Sequence, residues 1–162
     1  MICGIVLHEP YAVGVELVDR THDLVELVLD REVSRVEPDH LRVGISRSVP
    51  RRFPAGYRRY TKLNPGPWFN SVPVDEYIRL YNAEVLDRLD PEGVMRDLMR
   101  IADGRIPVLC CFERPHTGTW CHRSLVAQWF ERELGLRVPE LGYESSSEHP
   151  LRPSSRGATL FP

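Results

Sequence analysis

The chain is almost without lysine: Lys62 is its only one, against 20 arginines. This imbalance reads mainly as a coding preference, and carries function only where the arginines cluster. No apolar run approaches the ~20 residues needed to span a bilayer, so no membrane helix is expected. No basic region precedes the apolar start, and a secretory signal is not expected either. Neither GxGxxG nor GxxxxGKS/T occurs, which excludes the usual glycine-rich nucleotide cradles. No cysteine is followed six positions later by arginine, so the phosphate loop of the tyrosine phosphatases is excluded as well. Cys3, Cys110, Cys111 and Cys121 could make two bridges, but nothing else suggests a secreted scaffold. Reduced thiols in a cytoplasmic protein are expected.

The 162 residues, 42% apolar and 27% charged, suit one globular domain with a sizeable core. Residues 1–142 are expected to form that domain, with a Ser-, Pro- and Arg-rich tail over residues 143–162. The tail reads as flexible, or as docked on this or a neighbouring subunit, so a homodimer is allowed. Acidic residues are absent from Leu41 to Val74, while Arg42, Arg47, Arg51, Arg52, Arg58, Arg59 and Lys62 give that stretch a charge of +7. Against a total of −2, the rest of the chain therefore carries −9. Phe53, Tyr57, Tyr60, Trp68 and Phe69 lie among the positive residues, a mixture that suits phosphate contact and base stacking. The bland alternative is a loop whose arginines pair with the acidic remainder.

Met1 to His8 reads as a buried strand, and Val13 to Val18 as a second one. Asp23 to Val33 favours a short helix capped by Thr21, although the alternation of Val25, Leu27 and Leu29 also fits a strand. Leu41 to Ser46 reads as a strand. Four prolines (Pro50, Pro54, Pro65 and Pro67) make Arg47 to Asn70 mostly loop or short turns. Helices are expected from Pro73, with Tyr77, Ile78, Tyr81, Val85, Leu86 and Leu89 on the apolar face, and from an Asp90 cap to a stop at Gly104. Ile106 to Phe112 is apolar on both faces, as a central parallel strand should be. A helix from about His122 to Leu134 ends at Gly135, and Arg137 to Leu141 fits a last short strand. The architecture expected is α/β: a small three-layer Rossmann-like domain with a mostly parallel sheet.

The chemistry concentrates where the strand 106–112 hands over to the helix 122–134. Ligands bind in such a crevice in open α/β sheets, and free N–H groups at a helix start suit anions. Cys121 stands where the helix dipole and Arg123 would favour a thiolate. His122 is a candidate acid or base. Glu113 is a candidate base or the carboxylate partner of Arg123. A cation at a first helical turn opposes the dipole, so Arg123 implies a bound anion or a carboxylate nearby. Cys110 and Cys111 alternate across a buried strand, and core packing is expected for both. The spacing Cys-x9-Cys-His of Cys111, Cys121 and His122 matches no usual zinc module, so neither metal nor cofactor is expected.

These residues resemble the bacterial and archaeal family known as domain of unknown function 488. The likeness covers roughly residues 43–141. Its core is a strand ending in Cys-x-Glu (Cys111-Phe112-Glu113), followed by a Cys-His-Arg-Ser helix start (Cys121 to Ser124). The Arg- and Pro-bearing stretch Ile45 to Arg51 and the YRRYTKLNPGPWF segment are similar to the family's upstream blocks. The loop between Glu113 and Cys121 is longer than the family's. The resemblance implies an intracellular α/β domain with a polar crevice and a nucleotide- or nucleic-acid-related role.

Three functions are weighed. The leading one is an enzyme, a hydrolase or transferase, acting on a phosphorylated or nucleotide-like small molecule or a nucleic-acid end. Glu113, Cys121 and His122 would be catalytic, and Arg47, Arg51, Arg52, Arg123 and Ser124 would hold the anion. The second is a non-catalytic nucleic-acid-binding module using residues 42–69. The third is a thiol redox or stress protein, which needs two cysteines within reach of each other.

Overall fold

The computed structural model describes residues 3–7, 38–49, 56–113 and 120–141. Four strands, β1 (Cys3–Val6), β2 (His40–Gly44), β3 (Arg58–Arg59) and β4 (Ile106–Cys111), form one sheet in the order β1-β4-β2-β3. Strands β2 and β4 run parallel, with Val43 opposite Leu109 and Gly44 opposite Cys110. The two residues of β3 extend the parallel set beyond the end of β2. Strand β1 is antiparallel to β4 on its other side, with Cys3 opposite Cys111. The chain is therefore a small α/β protein with a mostly parallel sheet.

Strand β4 reads apolar throughout because both of its faces are covered. Leu109 shares one core with Leu41, Val43 and Ile45 and with the buried faces of three helices. On the opposite face Val108 and Cys110 pack with Tyr57, Ile106 and Leu141. Gly44 at the end of β2 makes room for the Tyr57 ring, since a Cβ there would lie 1.8 Å from the Tyr57 hydroxyl oxygen and the ring would have to shift. The expected segments 13–18 and 23–33, and the tail 143–162, lie outside the described residues.

Helix α1 (Val74–Glu84) follows Pro73, carries Asp75 and Glu76 in its first turn, and buries Val74, Tyr77 and Tyr81. It stops earlier than the apolar pattern suggests. Leu86–Arg88 form a 3-10 turn that still buries Leu86. Helix α2 (Pro91–Ala102) is capped by Asp90, whose carboxylate accepts from the Gly93 N–H at 2.9 Å. Asp103 takes the left-handed position at its end (φ 53°), followed by Gly104 at φ 77°. Helix α3 (His122–Leu134) ends at Gly135 in the left-handed conformation, φ 65°. The expected last strand at residues 137–141 contracts to a single bridge between Glu140 and Ile5. No helix among the described residues is long and apolar enough to cross a membrane.

Leu109, fully buried on the strand flanked from both sides, carries the core. Leu109→Ala should lower unfolding free energy by about 2–5 kcal/mol. Asp90→Ala, which removes only a helix cap, should cost about 1 kcal/mol. Urea denaturation of the two variants checks the order.

Candidate functional site: a thiol, imidazole and carboxylate cluster

The carboxyl end of β4 delivers Cys111 and, two residues on, Glu113. Residues two apart on extended backbone share a face, which explains why both reach the same place. The start of α3 delivers Cys121 at the cap position and His122 in the first turn. The donor atoms of Cys111, Glu113, Cys121 and His122 all lie within 4.8 Å of one another. Both cysteines and the histidine are buried, while Glu113 is partly exposed. The fold thus brings Glu113, Cys121 and His122 together as expected. It adds Cys111, for which core packing was expected. The alternation was read correctly for Cys110, which packs on the opposite face; the signal for Cys111 was its i, i+2 relation to Glu113.

His122 is held from both ends. Its Nε2 lies 3.1 Å from the Ile45 carbonyl oxygen just beyond β2, a contact it makes only as donor, so that nitrogen carries a proton. Its Nδ1 faces Cys111 Sγ at 3.6 Å and Cys121 Sγ at 3.9 Å. The Tyr81 ring packs edge-on at 5.3 Å, itself anchored by a 2.7 Å hydrogen bond from its hydroxyl to the Leu63 carbonyl. Tyr77 backs this wall, with Trp68 and Trp120 edge-on against it. Cys121 Sγ donates to Glu113 Oε2 at 3.1 Å.

Arg123 has a different partner from those expected. Its side chain is 0% exposed and forms a bidentate pair with Glu140, itself 1% exposed, through Nε–Oε2 at 2.9 Å and Nη2–Oε1 at 2.7 Å. Nη2 also donates to the Glu113 backbone carbonyl at 2.9 Å, and Nη1 to Cys121 Sγ at 3.5 Å. The carboxylate demanded by a cation in a first helical turn is therefore that of Glu140, not Glu113. Ser124 is likewise buried, its hydroxyl donating to the Cys121 carbonyl at 2.7 Å. With their donors engaged inside the protein, Arg123 and Ser124 shape the site rather than receive an anion. Sequence reasoning missed Glu140; a lone acid between the apolar residues Val138, Pro139 and Leu141 was the available sign.

The electrostatics correct a second expectation. Burial, reinforced by the neighbouring Cys111 sulfur, pushes the Cys121 thiol well up, against the pull of His122 and Arg123. A helix start lowers a thiol only where water or an uncompensated cation supports the thiolate, and here the charge of Arg123 is balanced by Glu140. Burial would also raise Glu113, yet hydrogen bonds from both thiols and its own backbone N–H, with His122 nearby, hold it below the usual carboxylate range. Burial works against a charged His122, but the Cys121 sulfur, the Glu113 carboxylate and the Ile45 carbonyl outweigh it and raise the imidazole.

Arg47 is exposed two residues beyond Ile45, at the same edge of the sheet. Its Nη1 donates to the Pro65 carbonyl at 3.1 Å, and its guanidinium lies 5.7 Å over the ring of Phe69. Arg59 braces the turn through a 3.0 Å bond to the Arg47 carbonyl. Lys62, the one lysine of the basic run, pairs with Asp97 at 2.9 Å. Arg51 and Arg52 lie outside the described residues. Neither a family model, nor a curated protein, nor a solved structure matches this chain.

Removing one member of the Arg123–Glu140 pair strands a buried charge. Glu140→Ala should destabilise the fold by about 3–5 kcal/mol, whereas Arg123→Met with Glu140→Leu should cost much less than the two single changes combined. A double-mutant cycle by chemical denaturation checks this.

Proposed function

We propose that the protein is an enzyme, a hydrolase or transferase, acting on a phosphorylated or nucleotide-like substrate at the junction of β4 and α3. The observation that carries this reading is the convergence of Glu113, Cys121, His122 and Cys111 on one point at the carboxyl edge of a parallel pair of strands. A structural core has little reason to gather two thiols, an imidazole and a carboxylate there, since each polar group costs free energy to bury. Glu113 is the proton-moving group: it is the one partly open to solvent, and it already accepts the Cys121 thiol hydrogen. His122 orients and shares protons with the two sulfurs.

Arg47 is the anion-binding arm, with Arg51 and Arg52 of the same run assigned to the same role. Its position over Phe69, and the exposure of Phe112 between Cys111 and Glu113, offer aromatic surfaces for a base-like substrate. This agrees with the nucleotide-related role implied by the resemblance to domain of unknown function 488. The free thiols of Cys110, Cys111 and Cys121 suit a cytoplasmic location. The apposition of Cys111 and Cys121 favours thiol redox chemistry as a second reading.

Turnover of a panel of nucleotides and sugar phosphates tests the proposal. Glu113→Gln should lower kcat by roughly 10²–10⁴, the usual contribution of a positioned acid or base. Arg47→Ala should raise KM roughly tenfold to a hundredfold, as the loss of a hydrogen bond to a charged group does. Wild-type turnover retained in both Glu113→Gln and Cys121→Ser would overturn the assignment.

A further inference from the structure

We infer that Cys111, Cys121 and His122, with Glu113 as an exchangeable fourth donor, form a binding site for a zinc-class divalent cation. The inference shares its location with the function proposed above but does not depend on the substrate. Zinc–sulfur and zinc–nitrogen bonds of about 2.3 and 2.0 Å at tetrahedral angles set donor atoms about 3.4–3.8 Å apart. The sulfur–nitrogen separations here are 3.6 and 3.9 Å, and all four donors fall within 4.8 Å. The Cys121–Glu113 contact, at 3.1 Å, would have to open to admit the ion.

The orientation of His122 argues in the same direction. A metal-bound imidazole typically donates its other ring N–H to a carbonyl or carboxylate, which fixes the tautomer and turns the lone pair to the ion. His122 does this with the Ile45 carbonyl, and its Nδ1 faces the two sulfurs. The Nη1 of Arg123, 3.5 Å from Cys121 Sγ, is a charged donor to that sulfur from outside the donor set. Two thiolates and an imidazole select zinc or a similar soft-to-borderline ion over magnesium or calcium. The sequence spacing spoke against this, because adjacent Cys and His rarely reach one ion. Here the pair straddles a helix cap, with Cys121 extended (φ −144°, ψ 142°) and His122 already helical, so the two side chains leave the backbone in converging directions.

The three buried donors make the fixed part of the site, and Glu113 the labile part. Three protein ligands with one replaceable position is the pattern of catalytic rather than structural zinc. With Glu113 displaced, Cys111, Cys121 and His122 would hold the ion and leave it one position for water, whose acidity zinc would raise.

The test uses the full chain, purified with reductant, stripped by chelator and titrated with Zn²⁺ and with Co²⁺. One ion should bind per chain, and the cobalt form should show thiolate-to-metal charge transfer and tetrahedral ligand-field bands. Cys111→Ser and Cys121→Ser should each weaken binding by more than the roughly 10–100-fold that loss of an outer hydrogen-bond partner costs. Cys110→Ser, on the other face of β4, should leave it unchanged, and circular dichroism of each variant separates loss of a ligand from loss of fold. Stoichiometric binding without turnover on any substrate would sustain the metal site and overturn the enzymatic reading. Absence of stoichiometric binding to the reduced wild type, or wild-type affinity in both Cys111→Ser and Cys121→Ser, would overturn the metal site. A Cys111–Cys121 disulfide that resists reduction would also overturn it, in favour of redox chemistry.

Discussion

The ion pair of Arg123 with Glu140 joins the parts on which everything else here rests. One guanidinium holds the segment after α3 through the Glu140 carboxylate, the exit of β4 through the Glu113 carbonyl, and the α3 cap through Cys121 Sγ. Three pieces of chain that are not neighbours in the sheet are thereby fixed relative to one another at their polar ends. A buried pair of this kind is weak evidence of stability, since desolvation offsets much of the attraction. Its value lies in geometry. Arginine's planar fork admits few alternatives, so the spacing between Glu113 and Cys121 is set by a rigid group rather than by the connecting chain.

This division of labour explains why the reactive groups are so deeply placed. Leu109, Val43 and the helices supply the apolar burial that holds β4, β2 and α3 together. Tyr81 and Tyr77 then close the side of His122 that faces α1. Inside such walls a thiol stays neutral, an imidazole must find hydrogen-bond partners, and a carboxylate survives as a charge only where donors surround it. All three conditions are met by the cluster's own members and by the Ile45 carbonyl. The cluster is self-satisfying, which is why it can sit at the edge of a core without unpaired polar atoms.

Periodic and capped elements were the legible part of the sequence. The run Ile106 to Phe112, the Asp90-Pro91 start and the Gly135 stop each follow from local rules, and the structure places β4, α2 and α3 there. The end of α1 was misjudged because Leu86 and Leu89 continue its apolar pattern while sitting on a 3-10 turn and just beyond it. Cys121, His122 and Glu113 were legible as a junction because strand and helix meet there. Cys111 and Glu140 left only faint signs, the i, i+2 relation to Glu113 and a lone acid among apolar neighbours, because their roles depend on tertiary partners that local patterns do not name. The thiol of Cys121 was misread in the same way. Dipole and sequence neighbours suggested a thiolate, but burial and the compensation of Arg123 by Glu140 outweigh both.

The partial exposure of Glu113 marks where this closed arrangement opens. Phe112, 46% exposed on the preceding residue, shows that the chain leaves β4 with one side toward water while Cys111 stays within. Arg47 approaches the same edge from β2, its backbone continuous with the Ile45 carbonyl that orients His122. Ile45, Ser46 and Arg47 are consecutive, so the carbonyl that holds His122 and the exposed guanidinium of Arg47 are carried by one short stretch of backbone leaving β2. That continuity sets the β2 exit beside the β4–α3 junction, and the two share the open side of the cluster.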